Sequence, residues 1–160
     1  MKELLITGAW RCGEQQVQAL EQMGYAVTFW PDERQAVNMD TQRFEVVICG
    51  GLFLTTPIER FPALKCIQVT SAGLDRVPLD YCKAHGITVY NAGGVYSAPM
   101  AEFVLGGILQ LYKESKFFAE NQVAHRWEKH RGLRELSGKT ACIIGTGSVG
   151  SAIARRLRAF

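Results

Sequence analysis

A glycine-rich loop late in the chain has the residue types and spacing of a phosphate-binding loop. It follows an apolar run and opens a segment with helical periodicity. Its residues are Gly145, Thr146, Gly147, Ser148, Val149 and Gly150. In such a GxGxxG pattern the first glycine makes the tight turn, the second admits a pyrophosphate, and the third lets helix and strand pack closely. Free N–H groups at the helix start then point toward the phosphates. We therefore predict a dinucleotide-phosphate site here, and the alternative is a strand–helix turn without a ligand.

The second half of a dinucleotide site does not follow this loop in the sequence. A Rossmann unit continues into a second strand, where an acidic residue about 20 positions further on binds the adenine ribose. The 160-residue sequence reaches Phe160 before such a strand. We therefore expect an incomplete cofactor-binding domain, and no residue in the sequence selects NAD over NADP.

The cysteines and histidines do not have the spacing of a metal site. The chain has five cysteines and three histidines, without a CxxC pair: Cys12, Cys49, Cys66, Cys82, Cys142, His85, His125 and His130. Widely spaced thiols in odd number are typical of a reducing compartment. The sequence therefore predicts a cytoplasmic protein that binds no metal ion.

Composition and charge indicate a globular chain that binds neither membrane nor nucleic acid. Hydrophobic residues make up 48% of the sequence and charged residues 21%, and the net charge is +3. No apolar run approaches the roughly 20 residues that a membrane-spanning helix needs. Residues 113–160 carry 10 basic and 4 acidic residues. We interpret that excess as a solvated helix face or an attraction for phosphate, because no nucleic-acid-binding motif accompanies it.

Strands and helices alternate along the first part of the chain. Short apolar runs predict strands over residues 4–7, 25–30, 45–49, 66–70, 87–90 and 140–144. Helical spacing predicts helices over about 14–23 and 78–84, and a long, buried helix over about 98–119. Because parallel strands need crossover connections, this alternation favours a parallel sheet covered on both faces. The long helix indicates a crossing into a second domain, and we place the boundary between residues 96 and 97.

Four segments resemble, in order, the motifs of the D-isomer-specific 2-hydroxyacid dehydrogenases, the family of phosphoglycerate dehydrogenase. The segments are Ser71-Ala-Gly-Leu-Asp75, Asn91-Ala-Gly-Gly94 with Ala101-Glu102, Trp127 with Glu135-Leu-Ser-Gly-Lys-Thr140, and Gly145–Gly150 with the helix through Phe160. Gly93 stands where the family pattern has proline. The resemblance covers about residues 45–160, whereas residues 1–44 fit only in their strand–helix pattern.

The resemblance implies a fold, an activity and a substrate site. Residues 1–96 would form a flavodoxin-like substrate-binding domain without its C-terminal return segment. Residues 97–160 would begin a Rossmann NAD-binding domain, truncated after its first strand, loop and helix. Ser71, Ala72 and Gly73 would bind the carboxylate of a small 2-hydroxy or 2-oxo acid, with backbone N–H groups as donors, and NAD or NADP would carry the hydride. In a homodimer of the full-length form, the subunits would contact each other through the long helix and the stretch around Trp127. The alternative is that Trp127 lies in the core.

The catalytic residues of that family do not fall on this sequence. The family uses an arginine and a histidine–acid pair, all located after the glycine loop, and His85, His125 and His130 match none of them. We therefore assign no catalytic residue to the chain and expect the 160 residues alone to be inactive as a dehydrogenase. The alternative is a non-catalytic flavodoxin-like binding module that dimerises through its long helix.

Overall fold

The first part of the chain is built around a five-stranded parallel sheet. The computed structural model describes all residues from 1 to 160. The strands are β1 (Lys2–Thr7), β2 (Tyr25–Trp30), β3 (Val46–Cys49), β4 (Cys66–Val69) and β5 (Thr88–Tyr90). They are arranged in the order β2-β1-β3-β4-β5, and every neighbouring pair is parallel. This is the flavodoxin-like order, so the predicted parallel α/β fold is confirmed.

The register of the central strands places apolar residues side by side. Leu5 of β1 pairs with Val47 of β3, which pairs in turn with Ile67 of β4. All three side chains are completely buried. The surrounding core also contains residues from the connecting loops, among them Val37, Phe44, Leu52, Ile58 and Phe61. Strands buried on both faces read as continuous apolar runs, which is the pattern of these sequences.

Two helices connect strands of this sheet. Helix α1 spans Glu14–Gln22 and α2 spans Leu79–Ala84, both close to the predicted ranges. Gly24 follows α1 with a φ of 90°, a left-handed conformation that favours glycine. Its N–H donates to the carbonyl of Glu21 at 2.9 Å, which ends the helix and returns the chain to β2.

The chain divides into two compact units, Met1–Gly93 and Gly94–Phe160. The second unit contains three helices, α3 (Ser97–Tyr112), α4 (Ser115–Val123) and α5 (Ser148–Leu157). Helices α3 and α5 pack against each other. An ion pair of 3.2 Å between Glu102 and Arg156 joins them. None of the helices in the chain is both long and apolar enough to cross a membrane.

The prediction of one long, buried helix over residues 98–119 is wrong in two respects. The helix breaks at Glu114, whose φ of 48° is left-handed and interrupts the helical hydrogen bonds. The Glu114 carboxylate pairs with the His130 ring at 3.0 Å, a long-range contact that helical periodicity does not encode. Ala101 is the one buried residue of α3, whereas Phe103 is 83% exposed.

Two further expectations for this unit are not met. Residues 140–144 form no strand, and Ile144 is almost fully exposed. A strand requires a neighbour for its backbone hydrogen bonds, and the second unit contains only helices. Trp127 is fully exposed as well, so the alternative of a core tryptophan is wrong.

Candidate functional site

The loop after β4 presents backbone N–H groups at the carboxyl edge of the sheet. The Ser71 hydroxyl donates to the carbonyl of Gly73 at 3.0 Å, closing a tight turn. Neither the Ala72 nor the Gly73 N–H donates to an acceptor in the chain, and both residues are exposed. Two adjacent unpaired amides are donors of the kind that suits a carboxylate. These free donors are compatible with the predicted carboxylate site at Ser71–Gly73, which stays a prediction.

Asn91 holds this turn from the end of the neighbouring strand β5. Its side-chain amide donates to the carbonyl of Ala72 at 2.7 Å, and its side-chain oxygen accepts from the Gly93 N–H at 3.2 Å. The Ala92 N–H adds a bond of 2.9 Å to the carbonyl of Ser71. These contacts bind the carbonyls of the turn and leave its amides available. Asn91 belongs to one of the four motif segments, but the motif alone does not predict this role; an asparagine directly after a strand is the signal that indicates it.

A second turn lies beside the first, directly after β3. The N–H groups of Gly50 and Gly51 both donate to the Glu33 carboxylate, at 2.8 and 2.6 Å. Burial raises the pKa of the preceding Cys49 thiol to about 12, and the negative charge of Glu33 contributes to the rise. Cys49 is therefore an unreactive, protonated core residue at neutral pH. The following Leu52 is completely buried in the core.

The glycine-rich loop of the second unit combines a strained turn with a helix start. Gly145 has a φ of 93°, and helix α5 begins at Ser148 after an extended Gly147. The Ser151 hydroxyl donates to the carbonyl of Thr146 at 3.0 Å and fixes the loop against the first helical turn. A Cβ added at Gly150 would lie 2.0 Å from the Gly145 carbonyl oxygen, so this close approach requires glycine.

The open side of this loop suits a phosphate group. Residues 145–148 are exposed, and the first turn of α5 contains no acidic side chain. A Cβ at Gly147 would meet no other atom within 4 Å, so space is available above the loop. The N–H groups at the start of α5 face this space, and the helix dipole favours a negative charge there. This exposed glycine turn and helix start have the chemistry that a phosphate group requires, and a phosphate site at Gly145–Gly150 stays a prediction.

The histidines make contacts with other residues of their own units. His85 stacks on Tyr81 at 3.8 Å between ring centroids, and His130 contacts the Phe117 ring at 4.5 Å and pairs with Glu114. His125 follows α4 with a left-handed φ of 50°. No three His, Cys, Asp or Glu side chains are arranged to hold a metal ion.

Known proteins with similar sequences include reductases and dehydrogenases of small acids. The chain is 31% identical over 118 residues to a glyoxylate/hydroxypyruvate reductase of Arabidopsis thaliana, covering 71% of this chain and 36% of the relative. It is 37% identical over 108 residues to the glycerate dehydrogenase of Hyphomicrobium methylovorum, covering 64% of this chain and 34% of the relative. The chain thus spans less than half of the length of these curated relatives.

Solved structures show the same fold. The NADPH-dependent glyoxylate/hydroxypyruvate reductase of Sinorhizobium meliloti, crystallised with citrate, superposes with a TM-score of 0.76 at 25% identity. That match covers 99% of this chain and 51% of the reductase. The D-lactate dehydrogenase of Aquifex aeolicus, in complex with NAD and lactic acid, also reaches a TM-score of 0.76, at 24% identity over 98% of this chain and 48% of its own.

The sequence pattern of one protein family extends over nearly the whole chain. The model of the D-isomer-specific 2-hydroxyacid dehydrogenase catalytic domain matches residues 5–154, a range that includes both the turn at Ser71–Gly73 and most of helix α5. The predicted family is confirmed: the chain belongs to the D-isomer-specific 2-hydroxyacid dehydrogenases.

Proposed function

We propose that this chain supplies the substrate-carboxylate turn and the cofactor-phosphate loop of a cytoplasmic, NAD- or NADP-dependent oxidoreductase that interconverts 2-hydroxy and 2-oxo acids. The observation that carries the proposal is the exposed, unpaired amide pair of Ala72 and Gly73 at the carboxyl edge of the parallel sheet. Ligands of open α/β sheets bind at that edge. Family membership directs the choice of ligand toward a small carboxylic acid.

On the substrate side, the turn Ser71–Gly73 binds the carboxylate and orients the acid. The amides of Ala72 and Gly73 donate to the carboxylate oxygens, while Asn91 keeps the turn in place through the Ala72 carbonyl. Residues 1–96 are then the substrate-binding domain. The relatives named for glyoxylate, hydroxypyruvate and glycerate favour an acid of two or three carbons.

On the cofactor side, residues Gly145, Thr146, Gly147, Ser148, Val149 and Gly150 bind the pyrophosphate of the dinucleotide. The left-handed Gly145 and the close approach at Gly150 give the loop the shape that this group requires. The nicotinamide ring, when bound, accepts or supplies the hydride. Residues 97–160 are then the first part of the cofactor-binding domain, and no histidine of the chain is assigned the proton transfer.

Binding of glyoxylate to the isotopically labelled chain, followed by amide NMR, tests the substrate site. We expect the largest shift changes at Ala72 and Gly73. The variant Asn91→Ala should bind glyoxylate about tenfold more weakly, since a lost hydrogen bond to an ordered turn costs about 1 to 1.5 kcal/mol. Asn38→Ala, an exposed asparagine of the same unit, is the matched control and should bind as the parent chain does. Saturable shift changes at other amides, with no change at Ala72 and Gly73, contradict the proposal.

We propose in addition that the protein forms a homodimer through the exposed apolar side chains of α3. Phe103 is 83% exposed and Leu111 73% exposed on this helix, and an apolar surface of this kind is typical of an interface. Light scattering behind a sizing column should give twice the monomer mass, and Phe103→Ser should raise the dimer dissociation constant about tenfold or more. Met23→Ser removes an apolar side chain that is also 73% exposed, but on the first unit, and should leave the mass unchanged. A monomeric parent chain contradicts this part of the proposal.

A further inference from the structure

Glu33 connects the loops that meet at the carboxyl edge of the sheet. It lies in the segment after β2, and its Oε1 accepts from the Gly50 N–H at 2.8 Å and from the Thr7 hydroxyl. Its Oε2 accepts from the Gly51 N–H at 2.6 Å. The Thr55 hydroxyl donates to the backbone carbonyl of Glu33 at 2.6 Å. The carboxylate therefore occupies both amides of the turn after β3 while its own backbone is held in place.

The turn at Gly50–Gly51 is packed directly beside the strand end that carries the substrate turn. The Thr70 N–H donates to the carbonyl of Cys49 at 2.8 Å. A Cβ added at Gly50 would lie 3.0 Å from the Ala9 side chain and 3.2 Å from the Thr70 hydroxyl oxygen. The loops after β1, β3 and β4 thus meet at Gly50. The Thr70 N–H bond to Cys49 couples this turn to Thr70, the residue that precedes Ser71.

Each of two neighbouring strands is therefore followed by a pair of consecutive backbone N–H groups, an arrangement that suits a carboxylate. The pair at Gly50 and Gly51 donates to a side chain of the chain itself, whereas the pair at Ala72 and Gly73 donates to no group of the chain. We infer that Glu33 is a positioning residue: its carboxylate fills the amide pair at Gly50–Gly51 and fixes that turn beside the substrate turn, whose Ala72 and Gly73 N–H groups stay free for a substrate carboxylate.

The positioning effect on substrate rests on the proposed function, but the occupation of Gly50–Gly51 by Glu33 can be measured without it. The variant Glu33→Ala empties this amide pair, and formate is a carboxylate small enough to replace the lost side-chain group. Glu59→Ala removes an exposed glutamate of the same unit and is the matched control. Each chain is titrated with formate, and then with glyoxylate, while the amides of Gly50, Gly51, Ala72 and Gly73 are followed by NMR.

In the parent chain and in Glu59→Ala, we expect formate to leave the Gly50 and Gly51 amides unmoved. In Glu33→Ala, formate should shift both amides saturably and raise the melting temperature toward that of the parent chain, whose own melting temperature it should not change. If Glu33→Ala lost stability for a reason other than the empty amide pair, formate would not restore its melting temperature. The inference is overturned if Gly50 and Gly51 respond to formate in the parent chain, or if they do not respond in Glu33→Ala.

The glyoxylate titration separates this inference from the proposed function. If glyoxylate fails to shift Ala72 and Gly73 in the parent chain, the substrate site is wrong, and the formate result at Gly50 and Gly51 still stands. If Glu33→Ala does not fold, Glu33→Gln keeps the side-chain shape but loses the charge. Its Gly50 and Gly51 amides should then exchange with solvent about tenfold faster than in the parent chain, because a charge-assisted hydrogen bond is weakened. Unchanged exchange in Glu33→Gln overturns the inference.

Discussion

Replacing Gly150 by alanine is expected to open the glycine-rich loop and to weaken pyrophosphate binding about ten- to a hundredfold. The new Cβ would lie 2.0 Å from the carbonyl oxygen of Gly145 and 3.1 Å from its carbonyl carbon. Both are backbone atoms, so the clash cannot be relieved by a side-chain rotation. Overpacking of this kind costs about 1 to 3 kcal/mol. Because binding requires the parent conformation of the loop, this cost is subtracted from the binding free energy and gives the stated loss of affinity.

The measurement is a pyrophosphate titration of the labelled chain, with the amides of Gly145–Gly150 as the reporters. Gly106→Ala is the matched control, because Gly106 lies within helix α3 and a Cβ there would meet nothing within 4 Å. That variant should bind pyrophosphate unchanged and should gain about 0.5 to 1 kcal/mol of stability from the removed glycine. Parent-like amide positions and affinity in Gly150→Ala would show that the close approach at Gly145 is not required for binding.

The strands were predictable from the sequence because their patterns are local. The range Tyr25–Trp30 agrees at both ends, since a glycine precedes it and a proline follows it. The other four strands of the sheet agree within two residues at each end. Each is a short apolar run between residues that favour turns, and the parallel sheet buries both of its faces. Helix α1 was predictable for the same reason, because Gly24 marks its end.

The second unit was less predictable because its elements depend on distant partners. The break at Glu114 accompanies a contact with His130, and the missing strand at residues 140–144 reflects the lack of another strand beside it. Periodicity predicts an apolar helix face but does not indicate what covers it, so α3 was expected to be buried although Phe103 is exposed. The local sequence pattern thus indicates where the helical segments lie but not which residues pack against them.

The candidate site was predictable only in its backbone parts. The resemblance indicated Ser71–Gly73, and the glycine spacing indicated Gly145–Gly150, because tight turns leave glycines at fixed positions in the sequence. The side chains that hold the first turn in place were not identified. Asn91 lies 19 residues from Ala72, and Glu33 lies 17 residues from Gly50, so only the order of the strands brings each pair together. A polar residue directly after a strand is a weak signal without that order.

Gly8→Ala should destabilise the first unit strongly, with a loss of about 3 kcal/mol in the free energy of unfolding. Gly8 follows the central strand β1, and a Cβ there would lie 1.9 Å from the carbonyl oxygen of Pro31. The Gly8 N–H also donates to the carbonyl of Trp30 at 2.8 Å, so the backbone segments at Gly8 and at Trp30–Pro31 cannot separate without losing this bond. Chemical denaturation followed by tryptophan fluorescence measures the loss.

Gly13→Ala is the control in the same unit, because its Cβ would meet only the end of the flexible Gln16 side chain, at 3.0 Å. Its free energy of unfolding should change by no more than about 1 kcal/mol. Since Glu33 lies just after Pro31, the displaced loop in Gly8→Ala should also carry the carboxylate away from Gly50. We therefore expect the Gly50 and Gly51 amides of the folded Gly8→Ala chain to shift, although neither is close to the substituted atom in sequence. A stable Gly8→Ala chain with unmoved amides would mean that the segment after β2 yields to the new methyl group without moving Glu33, and the loops at this edge would then be held independently of one another.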